Sequence, residues 1–334
     1  MAATNTLDGT VLVTGGAGYI GSHTVRALRE AGRDVVVFDS LELGRREAVI
    51  DAPIVVGDIH DKDLVTATCN EHGITQLVHF AAYKAVGESM EQPAKYWRNN
   101  VAGSVELYEA CLASGVNNVV FSSSCSVNGT PEVNPVTEDA PIQPESVYAE
   151  SKAMVERILY WYGQTSGLTS VSLRYFNAAG ASFDGRIGED WTHSQNLVPL
   201  AMKALLLKDR RLKVFGDDYD TPDGTCIRDY IHVNDLAEAH VKALDYLGGG
   251  GDTVSVNVGT GIGSSVYDVL NATAQAAGES IPYDVAPRRA GDPVSTFADP
   301  AFAEATLGWK AQYGLTEIVD SAYAWHKSQV DEGR

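Results

Sequence analysis

Two side chains of complementary chemistry lie four residues apart in SVYAESKAMVERIL: Tyr148 and Lys152. On a helix, positions i and i+4 share a face, so the phenol and the ammonium would point into one site. A unit charge about 5 Å from the phenol, at an effective dielectric of about 20, is worth roughly 3 kcal/mol, or about two pKa units. From a starting value near ~10, that brings the phenol within reach of service as a base close to neutral pH, suited to taking the proton from a hydroxyl undergoing oxidation. A YxxxK spacing arises often by chance, and its bland reading is an exposed helical pair. Here Tyr148, Lys152, Val155 and Leu159 fall on one stripe, which predicts that the pair faces inward. Upstream, FSSSCS sets Ser122, Ser123 and Ser124 just past a β-rich run, where one hydroxyl can bridge the tyrosine and a substrate oxygen. Taken alone, the same serines read at least as well as turn residues satisfying loop backbone.

A hydride acceptor is suggested near the start of the chain. TGGAGYIG, from Thr14 to Gly21, follows the apolar run VLVT and opens a helical pattern. Gly15, Gly18 and Gly21 permit a tight turn, close approach of a pyrophosphate and packing of helix on strand. Asp39 ends the second β-rich run, where it can accept from a ribose 2′-hydroxyl and repel a 2′-phosphate, which favours NAD over NADP. Arg45 and Arg46 are what a 2′-phosphate would need, and they read better as an exposed loop. Asp58 fits a loop acid and an adenine contact equally well. Gly259, Gly261 and Gly263 have the wrong spacing for the fingerprint and read as a turn after a strand.

The elements that must position these groups alternate along the chain. β-rich runs VLVT (11–14), VVVFD (35–39), PIVVGD (53–58), QLVHFA (76–81), NVVFSS (118–123) and SVSLRYF (170–176) are separated by helical patterns, the signature of a parallel sheet. Residues 92–114 read as one helix, with Val101, Val105, Tyr108 and Leu112 on one stripe. The spacing predicts an α/β fold, a doubly wound parallel sheet of the Rossmann type with a smaller C-terminal substrate-binding lobe. Residues 1–176 would form the dinucleotide-binding unit, with segments around 226–262 returning to it, and 177–334 mainly the substrate unit. His79 and His232 sit in apolar strand contexts and read as core histidines rather than ligands.

Composition limits the partners. The 334 residues carry 25 basic and 44 acidic side chains, a formal charge of −19 that repels phosphate backbones and argues against nucleic acid. The start, MAATNTLDGTVLVTGG, lacks the basic and apolar segments of a signal peptide, and no apolar stretch reaches the length of a membrane span. Cys69, Cys111, Cys125 and Cys226 show no metal-ligand spacing and suit a reducing compartment, so the expectation is a cytoplasmic protein with no metal.

Nearly the whole chain resembles the extended short-chain dehydrogenase/reductase family, through TGGAGYIGSH, HFAAYKAVGES, FSSSCSVNG, SVYAESK, LRYFNAAGA, DGTCIRDYIHVNDLA and RRAGD. The resemblance implies an NAD-dependent isomerase that interconverts UDP-glucose and UDP-galactose by transient oxidation at C4, with Ser124, Tyr148 and Lys152 as its catalytic set. It implies cofactor contacts from Gly15, Gly18, Tyr19, Ile20, Gly21, Asp39, Asp58, Ile59, Phe80, Ala81, Ala82, Lys84, Asn99 and Phe176, beside the catalytic three. It further implies a UDP-sugar site from Lys84, Ser124, Tyr148, Asn177, Asn196, Leu197, Phe215, Arg228, Arg289, Asp292 and Thr296, and a homodimer through the helices at 92–114 and 146–165. Independently, a pyrophosphate on so acidic a chain needs local cations with bidentate geometry, as Arg228 and Arg289 would supply, although Arg228 followed by Asp229 also fits a structural ion pair. The chain departs from the family pattern at Asn128, usually Tyr, at Cys125, usually Ala or another small residue, and at SQNL from Ser194, usually PNNL. Thr296 stands where some members carry an aromatic, so extra room for an N-acetyl group is expected there. A 4,6-dehydratase would need carboxylates where Cys125 and Ser126 stand, and a uronate epimerase a cation that has no candidate here. A dinucleotide-sensing regulator would have no use for the correctly spaced Ser, Tyr and Lys.

Overall fold

Val11, Leu12 and Val13 are fully buried, as are Val35 to Phe38, so these runs have no solvent face to alternate toward. Such strands belong in a parallel sheet covered on both sides. The computed structural model describes residues 9–192, 194–289 and 291–333, so the reading of residues 1–8 and position 290 within RRAGD lie outside the described residues. In chain order the strands are β1 (Thr10–Thr14), β2 (Val35–Asp39), β3 (Ile54–Val56), β4 (Ile74–His79), β5 (Asn118–Ser122), β6 (Thr169–Tyr175), β7 (Asn177–Ala179), β8 (Leu212–Phe215), β9 (Ile227–His232), β10 (Val254–Val258), β11 (Gly263–Ser265), β12 (Tyr283–Ala286) and β13 (Ser295–Thr296). The helices are α1 (Tyr19–Glu30), α2 (Lys62–His72), α3 (Val86–Glu91), α4 (Pro93–Tyr96), α5 (Ser104–Ala113), α6 (Val147–Ser166), α7 (Leu197–Leu207), α8 (Val233–Gly248), α9 (Val266–Ala277), α10 (Ala301–Leu307) and α11 (Leu315–Asp331).

Seven parallel strands form the central sheet in the order β10-β6-β5-β4-β1-β2-β3, the doubly wound arrangement that the alternating pattern predicts. Each of the six β-rich runs supplies a strand, with PIVVGD narrowing to β3 and QLVHFA shifting two residues toward the N-terminus in β4. The pleat divides β1 between two cores. Val11 and Val13 pack with Val25 and Leu28 of α1 and Leu236 and Leu244 of α8. Leu12 faces the opposite side, with Val65 of α2, Leu107 of α5 and Val155 and Leu159 of α6.

Helix α6, which carries the tyrosine and lysine, is bounded by local chemistry. Ser146 Oγ accepts from Ala149 N at 3.1 Å at its start, and Gly167 ends it with φ 72°. The segment at 92–114 differs from the single helix expected. It runs as α4, a π-helical turn over Trp97–Gly103, and α5. The π turn rotates the buried face, so Tyr96, Asn100, Ser104, Leu107, Tyr108 and Cys111 are buried while Val101, Val105 and Leu112 stay partly exposed. The predicted stripe is therefore displaced, with Tyr108 as its one fully buried member.

Beyond β6 a smaller sheet takes over, in which β11 and β13 flank β9 and β7 pairs with β9, while β8 and β12 form a two-stranded parallel ribbon. Helices α7, α9 and α11 pack around these strands through Val198, Met202, Val269, Ile318 and Val319. Among the described residues no helix is long and apolar enough to cross a membrane, and no group of three or more His, Cys, Asp or Glu side chains is placed to hold a metal ion.

Candidate active site

The glycine turn between β1 and α1 shapes one end of a long cleft. Gly15 adopts φ 71°, and a Cβ on it would lie 2.7 Å from Ala81 N; a Cβ on Gly21 would lie 2.2 Å from Gly15 O. Gly18 precedes helix α1 and supplies no side-chain cap, and the first turn holds no acid, which leaves the leading amides and the positive end of the dipole for an anion. Asp39, at the carboxyl end of β2, accepts from Ala17 N at 2.9 Å and Leu41 N at 2.8 Å, which fixes its carboxylate beside the turn with lone pairs to spare. A dinucleotide fits these features: small residues where a pyrophosphate approaches, free amides to bind it, and an anchored acid for a ribose.

Of the residues expected at a cofactor, Gly15, Gly18, Tyr19, Ile20, Gly21, Asp39, Asp58, Ile59, Phe80, Ala81, Ala82, Lys84, Asn99, Tyr148 and Lys152 line this single cleft. Asp58 also holds its own loop, accepting from His60 N at 2.9 Å and pairing with His60 Nδ1 at 2.6 Å. Ser124, also expected at the cofactor, is absent from the lining, where Ser122 stands instead, and Phe176 does not line the cleft either. Phe176 packs with Val136 and Ala298, and Tyr175, its neighbour on the alternate face at the end of β6, forms the wall instead.

Tyr148, Lys152, Val155 and Leu159 are all buried, as their shared stripe predicts. Lys152 Nζ donates to Ser122 O at 2.7 Å and lies 5.8 Å from the Tyr148 ring centroid. The electrostatics differ from the expectation that the ammonium draws the phenol toward neutrality. Burial raises the Tyr148 phenol well above its ordinary value, reinforced by Tyr175, with a hydrogen bond from Ser124 pulling the other way. Burial also lowers the Lys152 ammonium to about 7, against the opposing pull of Glu156. A lysine so poised is only partly charged near neutrality, so desolvation of the phenol outweighs its help.

The three serines after β5 take three separate roles. Ser122 Oγ bonds the Tyr175 hydroxyl at 2.7 Å, and Ser123 Oγ donates to Glu156 Oε1 at 2.5 Å, inside a buried Arg174–Glu156 pair. Ser124 alone turns to Tyr148, while its Oγ also accepts from Ser126 N at 3.2 Å and so caps the turn Cys125–Asn128. The functional and turn readings of this serine are thus both realised. Asn128 is buried and donates to Ala140 O and Pro141 O at 3.0 Å, while Cys125 is half-buried and desolvation pushes its thiol up to about 12.

Apart from Lys84, Ser124 and Tyr148, the residues expected at a UDP-sugar lie on the smaller sheet, the β8–β12 ribbon, the start of α7 and the adjoining segments, outside the lining of the dinucleotide cleft. Asn177 pairs across the ladder with Tyr230, and Thr296 pairs with Arg228. Arg228 Nη2 stands 3.9 Å from Asp292 Oδ1, and the Arg289 guanidinium lies 3.9 Å from the Phe215 ring centroid. Arg228 does not pair with Asp229. That acid faces the other way and accepts from Thr260 N, Gly261 N and Ala298 N, which fixes the turn of Gly259 and Gly261. Leu197 opens α7 and Asn196 precedes it, donating to Glu189 Oε1 at 3.2 Å.

Sequence reasoning missed Glu42, Tyr83, Tyr175, Glu189, Asp190 and Ser194 as cleft residues. Tyr175 had a readable signal, its place at the carboxyl end of a parallel strand. Glu189 and Asp190 lie in irregular chain and had none.

The chain matches the model of the NAD dependent epimerase/dehydratase family over residues 11–259. It is 45% identical over 318 residues to the UDP-glucose 4-epimerase of Halalkalibacterium halodurans, covering 95% of each chain. Among solved structures, it is similar to the UDP-glucose 4-epimerase from Brucella ovis in complex with NAD, with TM-score 0.94, 44% identity and coverage of 96% of this chain and 98% of the other. It is also similar to the enzyme of that name from Bifidobacterium longum in complex with NAD+ and UDP, with TM-score 0.89, 38% identity and coverage of 97% and 99%.

Proposed function

The chain belongs to the NAD dependent epimerase/dehydratase family, and from this we propose that it is an NAD-dependent isomerase interconverting UDP-glucose and UDP-galactose through transient oxidation of the sugar at C4. The observation that carries the reading is the placement of Tyr148 and Lys152 in the cleft that the glycine turn and Asp39 also line, with Ser124 hydrogen-bonded to the phenol from just outside that lining. Residues 1–176 carry the cofactor in this reading, with α8 and β10 completing their sheet, and the rest of 177–334, β9 included, serves mainly the nucleotide sugar.

When bound, NAD supplies an acceptor that takes the C4 hydrogen with its electron pair and returns it. Tyr148 holds and moves the hydroxyl proton at its phenolic oxygen, Ser124 bonds the reacting oxygen, and Lys152 in its charged form favours the phenolate. Asn177, Asn196, Leu197, Phe215, Arg228, Arg289, Asp292 and Thr296 hold the UDP-sugar, the two arginines meeting its pyrophosphate. Tight binding of the nucleotide leaves the sugar free to present either face, since carbon oxidised at C4 has lost its configuration there. The partly exposed Val101, Val105 and Leu112, with exposed Met154, Tyr160 and Trp161 on α6, support a homodimer through these helices. Four free cysteines support a cytoplasmic setting.

Purified protein given UDP-galactose, without and then with added NAD, should form UDP-glucose. Tyr148→Phe should lower kcat by about 10²- to 10⁴-fold while NAD affinity, read by titration, stays within a few-fold of the parent. Retained turnover in the variant would remove Tyr148 from the mechanism.

A further inference from the structure

Four charged residues of the dinucleotide cleft pair with one another across different parts of the chain. Lys84, in the segment after β4, lies 3.6 Å from Glu189, and Arg45, in the segment after β2, lies 3.5 Å from Asp190. Both acids come from the stretch between β7 and α7. Their carboxylates are held in place. Glu189 is buried, and its Oε1 accepts from Ser194 Oγ at 2.8 Å as well as from Asn196 Nδ2, while its main-chain oxygen accepts from Trp325 Nε1 of α11 at 3.1 Å. Asp190 Oδ1 accepts from Thr192 N at 2.8 Å and Thr192 Oγ1 at 2.6 Å, and Oδ2 faces Arg45. Ser194 stands where the family pattern has a proline, which offers no side-chain donor, so this chain holds Glu189 with a bond of its own.

We infer that Glu189 and Asp190 form a two-point strap across the dinucleotide cleft, and that Glu189 links cofactor retention to occupancy of the nucleotide-sugar site. This rests on the proposed function, which puts a dinucleotide in the cleft and UDP beside Asn196. A departing dinucleotide has to pass walls joined by both ion pairs. Glu189 Oε1 is the atom shared by Lys84 on the cofactor wall and Asn196 at the head of α7, so a ligand that fixes Asn196 also fixes the carboxylate that holds Lys84. Coupling of this kind is reciprocal, and bound UDP therefore slows release of the dinucleotide. Glu189 is in this account a positioning residue.

The test uses full-length protein loaded with NADH, whose release is followed by fluorescence after mixing with excess NAD, with and without UDP. Glu189→Gln keeps one oxygen as acceptor for Ser194 and Asn196, and Asp190→Asn keeps one for Thr192; each removes the charge and turns the other oxygen into an amide donor. Each should speed release by about two- to five-fold, and the double variant by about four- to twenty-five-fold. Added salt should speed release from the parent and leave the double variant nearly unchanged. The slowing by UDP should persist in Asp190→Asn and vanish in Glu189→Gln. Parent-like release from both variants overturns the strap, and a full UDP effect in Glu189→Gln overturns the link. Thermal unfolding separates a misfolded Glu189→Gln, and Asp190→Asn, at a more exposed site, keeps the strap testable in that event. A parent that binds no NADH at all, seen in the titration that precedes these comparisons, would overturn the proposed function itself.

Discussion

Replacing Lys152 by methionine should make the dinucleotide-free protein more stable as it destroys activity. Burial lowers the ammonium from its ordinary 10.5 to about 7, so charging it costs more in the folded chain than in the unfolded one. The folded state binds fewer protons there, which means stability is complete above the unfolded pKa, falls as pH drops from 10.5 toward 7, and is constant below. Integrated to pH 7, the cost is about 4 kcal/mol. Methionine retains the apolar stem and removes this cost, while loss of the bond to Ser122 O returns about 1–2 kcal/mol. The net gain of about 2–3 kcal/mol corresponds to about 3–4 °C in Tm for a chain of this size. Urea unfolding of stripped protein at two pH values gives a cleaner comparison, because the Ser122 bond cancels. The gap attributed to the lysine should shrink from about 4 kcal/mol at pH 7 to about 2 kcal/mol at pH 9. A variant no more stable than the parent at pH 7, with a gap indifferent to pH, would refute the claim that Lys152 is held against a desolvation penalty.

Asp235 is buried at the start of α8, accepts from Gln312 N and Tyr313 N through Oδ2, and has its carboxyl pushed up to about 6 by burial. A raised carboxylate stabilises the fold most below its unfolded pKa and loses that contribution as pH rises to 6, so Asp235→Asn should gain about 1 kcal/mol on the parent between pH 5 and 7.5, measured by denaturant unfolding. Trp161→Glu should shift the particle from dimer to monomer mass in light scattering; an unchanged mass would exclude that face of α6 from the interface. UDP-N-acetylglucosamine should be turned over by the parent and rejected by Thr296→Tyr, and failure of the parent to use it would end the argument from the small side chain.

Much of this was legible because period and position were both written in the chain. Apolar runs without alternation gave the six strands, and the i, i+4 spacing of Tyr148 and Lys152 gave their burial on one face of α6. The π turn at Trp97–Gly103 was invisible, since apolar residues stay frequent on either side of the rotated register and only tertiary packing selects which face turns inward. The sign of the tyrosine's shift was missed for a related reason. A sequence estimate counts the charge four residues away and cannot count the burial of the phenol, nor the electrostatic push of Tyr175 and Cys125, which arrive from another strand and a turn. Glu189 was beyond reach because its role is set by a lysine over a hundred residues away and a tryptophan in the last helix.

The strand β10 has a consequence for how the protein is made. It is the outermost strand of the central sheet, pairing with β6 along Val254 to Val258, and α8 just before it covers Val11 and Val13 of the first strand. On a ribosome, the first 176 residues therefore emerge with β6 unpaired on one side and with the face that α8 shares with α1 only partly covered, and cannot complete that core until most of the following segment has also emerged. The nascent chain must pass through a long interval in which its earliest strands are complete and one of their faces is still only partly covered. Protection by a chaperone during synthesis, or slow elongation across residues 177–260, is the need that this interleaving creates.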